Sequence, residues 1–180
     1  EEVFAAGLRH HHLANTAYPI HHGTTMRPYR ALPEQAQELA AATWEEVDAL
    51  GLYVHVPFCQ ARCRYCEYAV VDRTEHPGED AYFAALQREF DFYRERLNTQ
   101  AKTLIGLDIG GGTPAFAQTE HIRQVVAAAR ESFRFAPGMA ISIETTPIIA
   151  DRQPEKIAAL REMGIARISM GVQTPQLRLG

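Results

Sequence analysis

From Leu52 onward, short apolar stretches of alternating polarity take turns with longer stretches whose apolar residues recur every three or four positions. A period of two predicts strands and a period near 3.6 predicts helices. The expected strands are Leu52–Phe58, Thr103–Ile109, Met139–Thr145 and Ile165–Val172. The expected helices are Asp80–Leu97, with Tyr82, Leu86, Phe90, Tyr93 and Leu97 on one stripe, and a second one capped by Thr119. The second buries Ile122, Val125, Val126, Ala129 and Phe133; a third is opened by Pro154 and closed by Gly164. Upstream, Pro33–Leu50 reads as a helix with Gly51 as its C-cap. Residues 1–32 carry no such pattern and read as an irregular leader; His10, His11, His12, His21 and His22 fit a solvated segment better than a metal site.

The two faces of each strand differ in kind. Val54, Val56 and Phe58 oppose Tyr53, His55 and Pro57; Ile105, Leu107 and Ile109 oppose Gly106, Asp108 and Gly110. Ile141 and Ile143 oppose Ser142 and Glu144, and Ile168, Met170 and Val172 oppose Arg167, Ser169, Gly171 and Gln173. Strands buried on both faces of a doubly wound sheet would read as unbroken Val, Ile and Leu. One apolar and one polar face, in strands that alternate with helices, predict an α/β fold: parallel strands curved into an open barrel, helices outside and a wet interior.

A formal net charge of −4 over 180 residues, with no Lys/Arg run, argues against nucleic acid as a partner. No apolar stretch approaches a membrane span, and the first residues lack the layout of a secretory signal, so a cytoplasmic location is the default. The three cysteines all fall between positions 59 and 66. A disulfide scaffold would spread them out and pair them, so they read as a metal or cluster site in a reducing compartment.

Cys59, Cys63 and Cys66 have the spacing C-x3-C-x2-C in the loop that follows the first strand. Three thiolates on a short loop can hold three irons of a cubane and leave the fourth open. Zinc is the alternative and would need a fourth ligand such as His55 or His76. Gly110-Gly111-Gly112-Thr113-Pro114 closes the second strand; it is either a plain turn or a place where a ligand meets bare backbone. No Gly-Lys-Ser/Thr follows, which excludes a phosphate loop. Glu144 ends the third strand, as a solvated carboxylate or an acceptor for a ligand. Arg167 opens the polar face of the fourth, where a barrel-floor ion pair is one reading. The cysteine loop, the glycines, Glu144 and Gln173 all sit at carboxyl ends of strands, where barrel active sites form.

The run Tyr53-Val-His-Val-Pro-Phe-Cys59 through Cys66, the GGGTP segment, Glu144-Thr-Thr-Pro147 and Arg167-Ile-Ser-Met-Gly-Val-Gln173 together resemble radical S-adenosylmethionine (SAM) enzymes of the oxygen-independent coproporphyrinogen III oxidase type. The resemblance runs from about Leu52 to Gln173. It implies a partial (β/α)6 barrel, of which about four units are expected in residues 33–180 with the C-terminal part missing. It also implies one [4Fe–4S] cluster on Cys59, Cys63 and Cys66, and one SAM. Tyr53, Tyr65, Gly110, Gly111, Gly112, Thr113, Glu144 and Gln173 match positions that contact SAM in that family, Tyr65 beside the adenine. Thr146 stands where the family has Asn, and Asp108 where it has an apolar residue.

The implied chemistry is reductive cleavage of SAM to a deoxyadenosyl radical that abstracts hydrogen from a substrate. It needs an electron donor such as flavodoxin or ferredoxin and a small-molecule substrate, a tetrapyrrole or haem. Tyr68 occupies the place of the decarboxylase's fourth cysteine, and an aromatic there is usual in non-decarboxylating relatives, including haem chaperones. Three functions stay open: a radical enzyme on a tetrapyrrole, a haem chaperone that keeps the cluster, and a zinc-bound structural module. No residue is singled out as catalytic.

Overall fold

A computed structural model of the chain describes residues 38, 42 and 44–172, apart from 64, 65, 67, 68 and 73–77. The chain divides into two compact units, Glu1–Ala42 and Thr43–Gly180, and every element below belongs to the second. Tyr65, Tyr68, His76, Gln173 and the leader histidines lie outside the described residues.

Four parallel strands form the main sheet in the order β1 (Ala49–Val56), β4 (Thr103–Gly111), β6 (Ile141–Thr145) and β7 (Ile165–Met170). Three short strands complete the set. β2 (Phe58–Cys59) and β3 (Val71–Asp72) pair in parallel beyond the end of β1, and β5 (Arg134–Phe135) pairs with the start of β4. The helices are α1 (Glu79–Leu97), α2 (Thr119–Ser132), α3 (Pro147–Arg152) and α4 (Pro154–Glu162). Strand–helix alternation with an all-parallel main sheet is the expected α/β architecture.

The core lies between one face of this sheet and the helices. Val54, Val56, Leu104, Leu107, Ile109, Ile141, Ile143 and Ile165 come from the strands; Phe83, Phe90, Ile122, Val125, Val126, Ala129, Ile149 and Leu160 come from the helices. Ties between crossovers fix the helices. Glu79 Oε1 accepts from the Gln118 backbone N–H at 2.7 Å and lies 2.9 Å from His121 Nδ1, and the His121 ring stacks on Phe83. Lys156 Nζ donates to Ala117 O at 2.8 Å. Burial pulls the Lys156 ammonium below its ordinary pKa, while Glu79 and Glu155 pull the other way.

Several expectations need correction. The helix read through Leu50 ends earlier: Glu45 is helical, but β1 already begins at Ala49, so Gly51 is a strand residue and not a C-cap. Thr119 does not cap α2. Gln118 holds that position without a side-chain bond, and its own backbone N–H donates to the Glu79 carboxylate from α1. On α1 the buried residues are Phe83 and Phe90, with Tyr82 and Leu86 packed against the core; of the expected stripe Tyr93 departs, at 41% exposed, and Phe83 is added.

Ile105 is 58% exposed because the ladder slips: Leu50 faces Leu104, but Gly51 faces Gly106. This bulge inserts Ile105 as an extra residue and reverses the alternation behind it. Met170 and Val172 are exposed rather than covered. The sequence reading missed α3, although Thr146-Pro147 is a cap followed by proline at the first helical position; Thr146 Oγ1 accepts from Ile149 N at 3.4 Å.

Candidate functional site

The registers of β1, β4, β6 and β7 place residues of the polar face in two rows. Tyr53 faces Asp108, Asp108 faces Ser142, and Ser142 faces Arg167. One step nearer the carboxyl ends, His55 faces Gly110 and Glu144 faces Ser169. Side chains two apart along a strand point the same way, so both rows line one surface. A cleft of about 310 Å³ opens over it, bordered by Tyr53, Asp108, Gly110, Ser142, Glu144, Arg167 and Ser169.

The lower row is a hydrogen-bonded set. Arg167 NH2 donates to Asp108 Oδ1 at 2.8 Å and to Ser142 Oγ at 3.4 Å, and the Ser142 hydroxyl donates to the same Asp108 oxygen. Arg167 is therefore an ion-pair partner on the cleft wall, as one sequence reading had it. Asp108, where the family pattern expects an apolar residue, supplies the countercharge.

In the upper row, Glu144 Oε2 accepts from the Gly111 N–H at 3.1 Å. Gly110 leaves room that Tyr53 and Glu144 fill: a Cβ there would lie 2.8 Å from Tyr53 Cε2 and 3.1 Å from Glu144 Oε1. Gly111 has φ +122°, and a Cβ would strike the His55 ring at 2.8 Å and Val56 O at 2.9 Å. Only glycine adopts this conformation at no steric cost. His55 Nε2 lies 2.8 Å from Ala69 O, just past the last cysteine; Nδ1 lies 3.4 Å from the Tyr53 hydroxyl, and Tyr82 donates its hydroxyl proton to the His55 carbonyl.

The cysteine loop is seated on the end of the glycine segment. Gly112 N donates to Val56 O at 2.9 Å, Thr113 N to Phe58 O at 2.8 Å, and Val71 N to Pro57 O at 2.9 Å. Cys59 lies on β2, half-buried, with Thr113 Oγ1 3.7 Å from its sulfur; Cys66 is half-buried and Cys63 exposed. Burial pushes the Cys59 thiol above its ordinary pKa, the Thr113 contact pulls it down, and Cys66 and Cys63 push it up again. None of the three thiols is in a disulfide.

Among the described residues no three His, Cys, Asp or Glu side chains stand ready-made as a metal cage. The donor chemistry nevertheless fits a cluster. Three soft thiols share one loop, and His55, a candidate fourth ligand for zinc, has both ring nitrogens engaged. Of the residues singled out by sequence, Tyr53, Gly110 and Glu144 border one cleft, Gly111 anchors Glu144, and Gly112 and Thr113 carry the cysteine loop. Tyr65 and Gln173 lie outside the described residues. Ser142 and Ser169 appeared only as polar-face positions, and their places in the two rows follow from register.

A family model described as the Radical SAM superfamily matches residues 53–178. The chain belongs to the radical SAM superfamily. Radical SAM proteins use a [4Fe–4S] cluster and SAM. The chain is 35% identical over 159 residues to the oxygen-independent coproporphyrinogen III oxidase of Escherichia coli K12, an alignment covering 88% of this chain and 33% of that protein. It is 32% identical over 126 residues to the heme chaperone HemW of Mycobacterium tuberculosis, covering 69% of this chain and 31% of the relative.

The solved structure of coproporphyrinogen III oxidase (HemN) from Escherichia coli, a radical SAM enzyme, superposes with a TM-score of 0.69. The identity is 29%, and the match covers 81% of this chain and 32% of that one. The α/β sheet is accordingly part of a radical SAM barrel, and the chain spans about a third of the length of the relatives it matches. Among the described residues no helix is long and apolar enough to cross a membrane.

Proposed function

We propose that Cys59, Cys63 and Cys66 hold three irons of a [4Fe–4S] cluster. Tyr53, Tyr65, Gly110, Gly111, Gly112, Thr113, Glu144 and Gln173 form the SAM-binding surface beside it. The observation that carries this reading is convergence: residues from separate motifs border one cleft at the carboxyl ends of β1, β4 and β6, with the cysteine loop pinned to the last glycine. When bound, the cluster and SAM supply a one-electron reductive cleavage of the sulfonium that starts radical chemistry on a substrate C–H bond. The chain's residues bind and orient. The Gly111 N–H fixes one oxygen of Glu144, and Oε1 borders the cleft as an acceptor for a ligand hydroxyl. The bare backbone of the glycine segment offers carbonyls to an ammonium group. Asp108 keeps the Arg167 guanidinium from meeting the cleft as an uncompensated cation.

The substrate proposed is a tetrapyrrole. Support comes from the coproporphyrinogen oxidase and from an anaerobilin synthase of Escherichia coli O157:H7 that is 28% identical over 163 residues. The electron donor is a flavodoxin or ferredoxin, and the location is the cytoplasm. The similarity to HemW favours a second reading, a haem chaperone that retains the cluster. Anaerobic reconstitution of the wild type and of each Cys→Ala variant tests the assignment. Iron and sulfide should bind to the wild type and be lost in all three variants, and full retention in any one removes that cysteine from the ligand set. Deoxyadenosine production supports the enzyme, and haem binding without it supports the chaperone.

A further inference from the structure

Thr113 holds its hydroxyl against the sulfur of Cys59. Its backbone N–H is bound to Phe58 O at 2.8 Å, directly before that cysteine, and the side chain is buried at 9% exposure. Thr113 Oγ1 lies 3.7 Å from Cys59 Sγ, within the reach of a sulfur contact, and the hydroxyl has no other hydrogen bond among the described residues. Two neighbouring bonds, Gly112 N to Val56 O and Val71 N to Pro57 O, fix the backbone on both sides of the contact. The two backbones that carry the contact are therefore held side by side.

In the free thiol either group can donate. An iron-bound cysteine has lost its proton and can only accept, so the Thr113 hydroxyl must then be the donor. A proton held toward a ligand sulfur stabilises the more negative, reduced cluster over the oxidised one. We propose that Thr113 is a positioning residue that donates a hydrogen bond to the Cys59 ligand sulfur and raises the reduction potential of the cluster. Cys63 is exposed and Cys59 half-buried, so a cluster held by this loop would have its Thr113-bonded ligand on the more buried side.

The inference rests on the cluster assignment above. Iron content tests that assignment and the midpoint potential tests this one, so their failures are distinguishable. The protein is reconstituted anaerobically as wild type, Thr113→Val, Thr113→Ala and Thr113→Ser, without SAM. Iron and sulfide are counted, and the reduced cluster is titrated by electron paramagnetic resonance. The ratio of reduced to oxidised cluster at a fixed potential should fall about fivefold in the Val and Ala variants, the size of one ordinary hydrogen bond. That is about 40 mV at 59 mV per tenfold for one electron. Thr113→Ser should restore the wild-type value. An unchanged midpoint in whichever of the Val and Ala variants is cluster-replete overturns the proposal. Loss of the cluster from both while Thr113→Ser keeps it also overturns it, since the hydroxyl would then serve assembly. Failure of Thr113→Ser to match the wild type would assign the effect to the methyl group.

Discussion

Replacing Gly112 with alanine tests whether the cysteine loop is seated on the glycine segment. A Cβ at Gly112 would lie 2.6 Å from Pro57 O, 2.8 Å from Phe58 O and 2.8 Å from Pro57 C. All three are backbone atoms, so no side chain can rotate out of the way. Reaching even 3.0 Å requires the Pro57–Cys59 segment to move by at least 0.4 Å. That movement stretches the bonds from Gly112 N to Val56 O and from Thr113 N to Phe58 O. Overpacking costs about 1–3 kcal/mol and each weakened backbone bond about 1 kcal/mol, so Gly112→Ala should lose about 3–5 kcal/mol. For a urea slope of about 2 kcal/mol/M the unfolding midpoint falls by about 1.5–2.5 M. Gly106 is the control: it lies on β4, the strand that leads into Gly112, with nothing within 4 Å of its Cβ position, so Gly106→Ala should be neutral or slightly stabilising. Urea unfolding of the apo-protein, followed by circular dichroism, compares the two. A Gly112→Ala midpoint equal to that of Gly106→Ala would mean that the loop does not rest on the glycines.

The register slip in β4 predicts that Ile109→Ala, four residues along the same strand from Ile105 and at a site 1% exposed, costs about 2–5 kcal/mol. Ile105→Ala should stay within about 0.5 kcal/mol, and equal losses by urea unfolding would refute the bulge. Because burial first of all raises the Cys59 pKa, its thiol keeps its proton more firmly in the fold than in the unfolded chain. The stabilisation this gives is present below the unfolded value and lost as pH rises through the higher folded one. Timed alkylation of the apo-protein at pH 8, read by mass spectrometry, should label exposed Cys63 before Cys59, and Cys59 should catch up only at pH values above 9.0. The Asp108–Arg167 pair is more than half exposed on both sides, so a double-mutant cycle should give a coupling of no more than about 1 kcal/mol. A value above about 2 kcal/mol would mean that the pair is desolvated in solution.

How much the sequence revealed depended on the range of the interaction. Strand–helix alternation and the polar inner faces follow from local period, and both are present. So is the αL glycine that closes α4, Gly164 at φ +93°. The cysteine spacing and the glycine triplet stand out in the sequence because each pattern lies within eight residues or fewer of chain. What could not be read was set between segments. Ile105 alternates correctly as text, and only pairing with β1 shows it to be the extra residue. The partner of the α2 N-terminus is Glu79, 39 residues before Gln118, so the search for a local cap settled on the wrong residue. β2 and β3 have two residues each and give no period.

Asp108 shows how a departure from a family pattern becomes intelligible once the register is known. Taken alone, a carboxylate two residues before the glycine triplet weakens the resemblance, because a barrel interior tolerates an isolated charge badly. The ladder places Ser142 opposite Asp108, and Arg167 opposite Ser142. One hydroxyl and one guanidinium from the next two strands therefore converge on a single carboxylate oxygen. The same sequence motif that supplies Gln173 supplies Arg167, and its cation has no other carboxylate partner among the described residues, only the Ser142 hydroxyl. The two positions are 59 residues apart, yet together they keep the lower row close to neutral. Glu144 then contributes the uncompensated charge of the cleft lining, one row above. A ligand entering there meets a negative site with a neutral, hydrogen-bonded floor. That polarity suits a cationic ligand such as a sulfonium with an ammonium group, and losing Asp108 while keeping Arg167 would cancel it, leaving the Arg167 cation against Glu144.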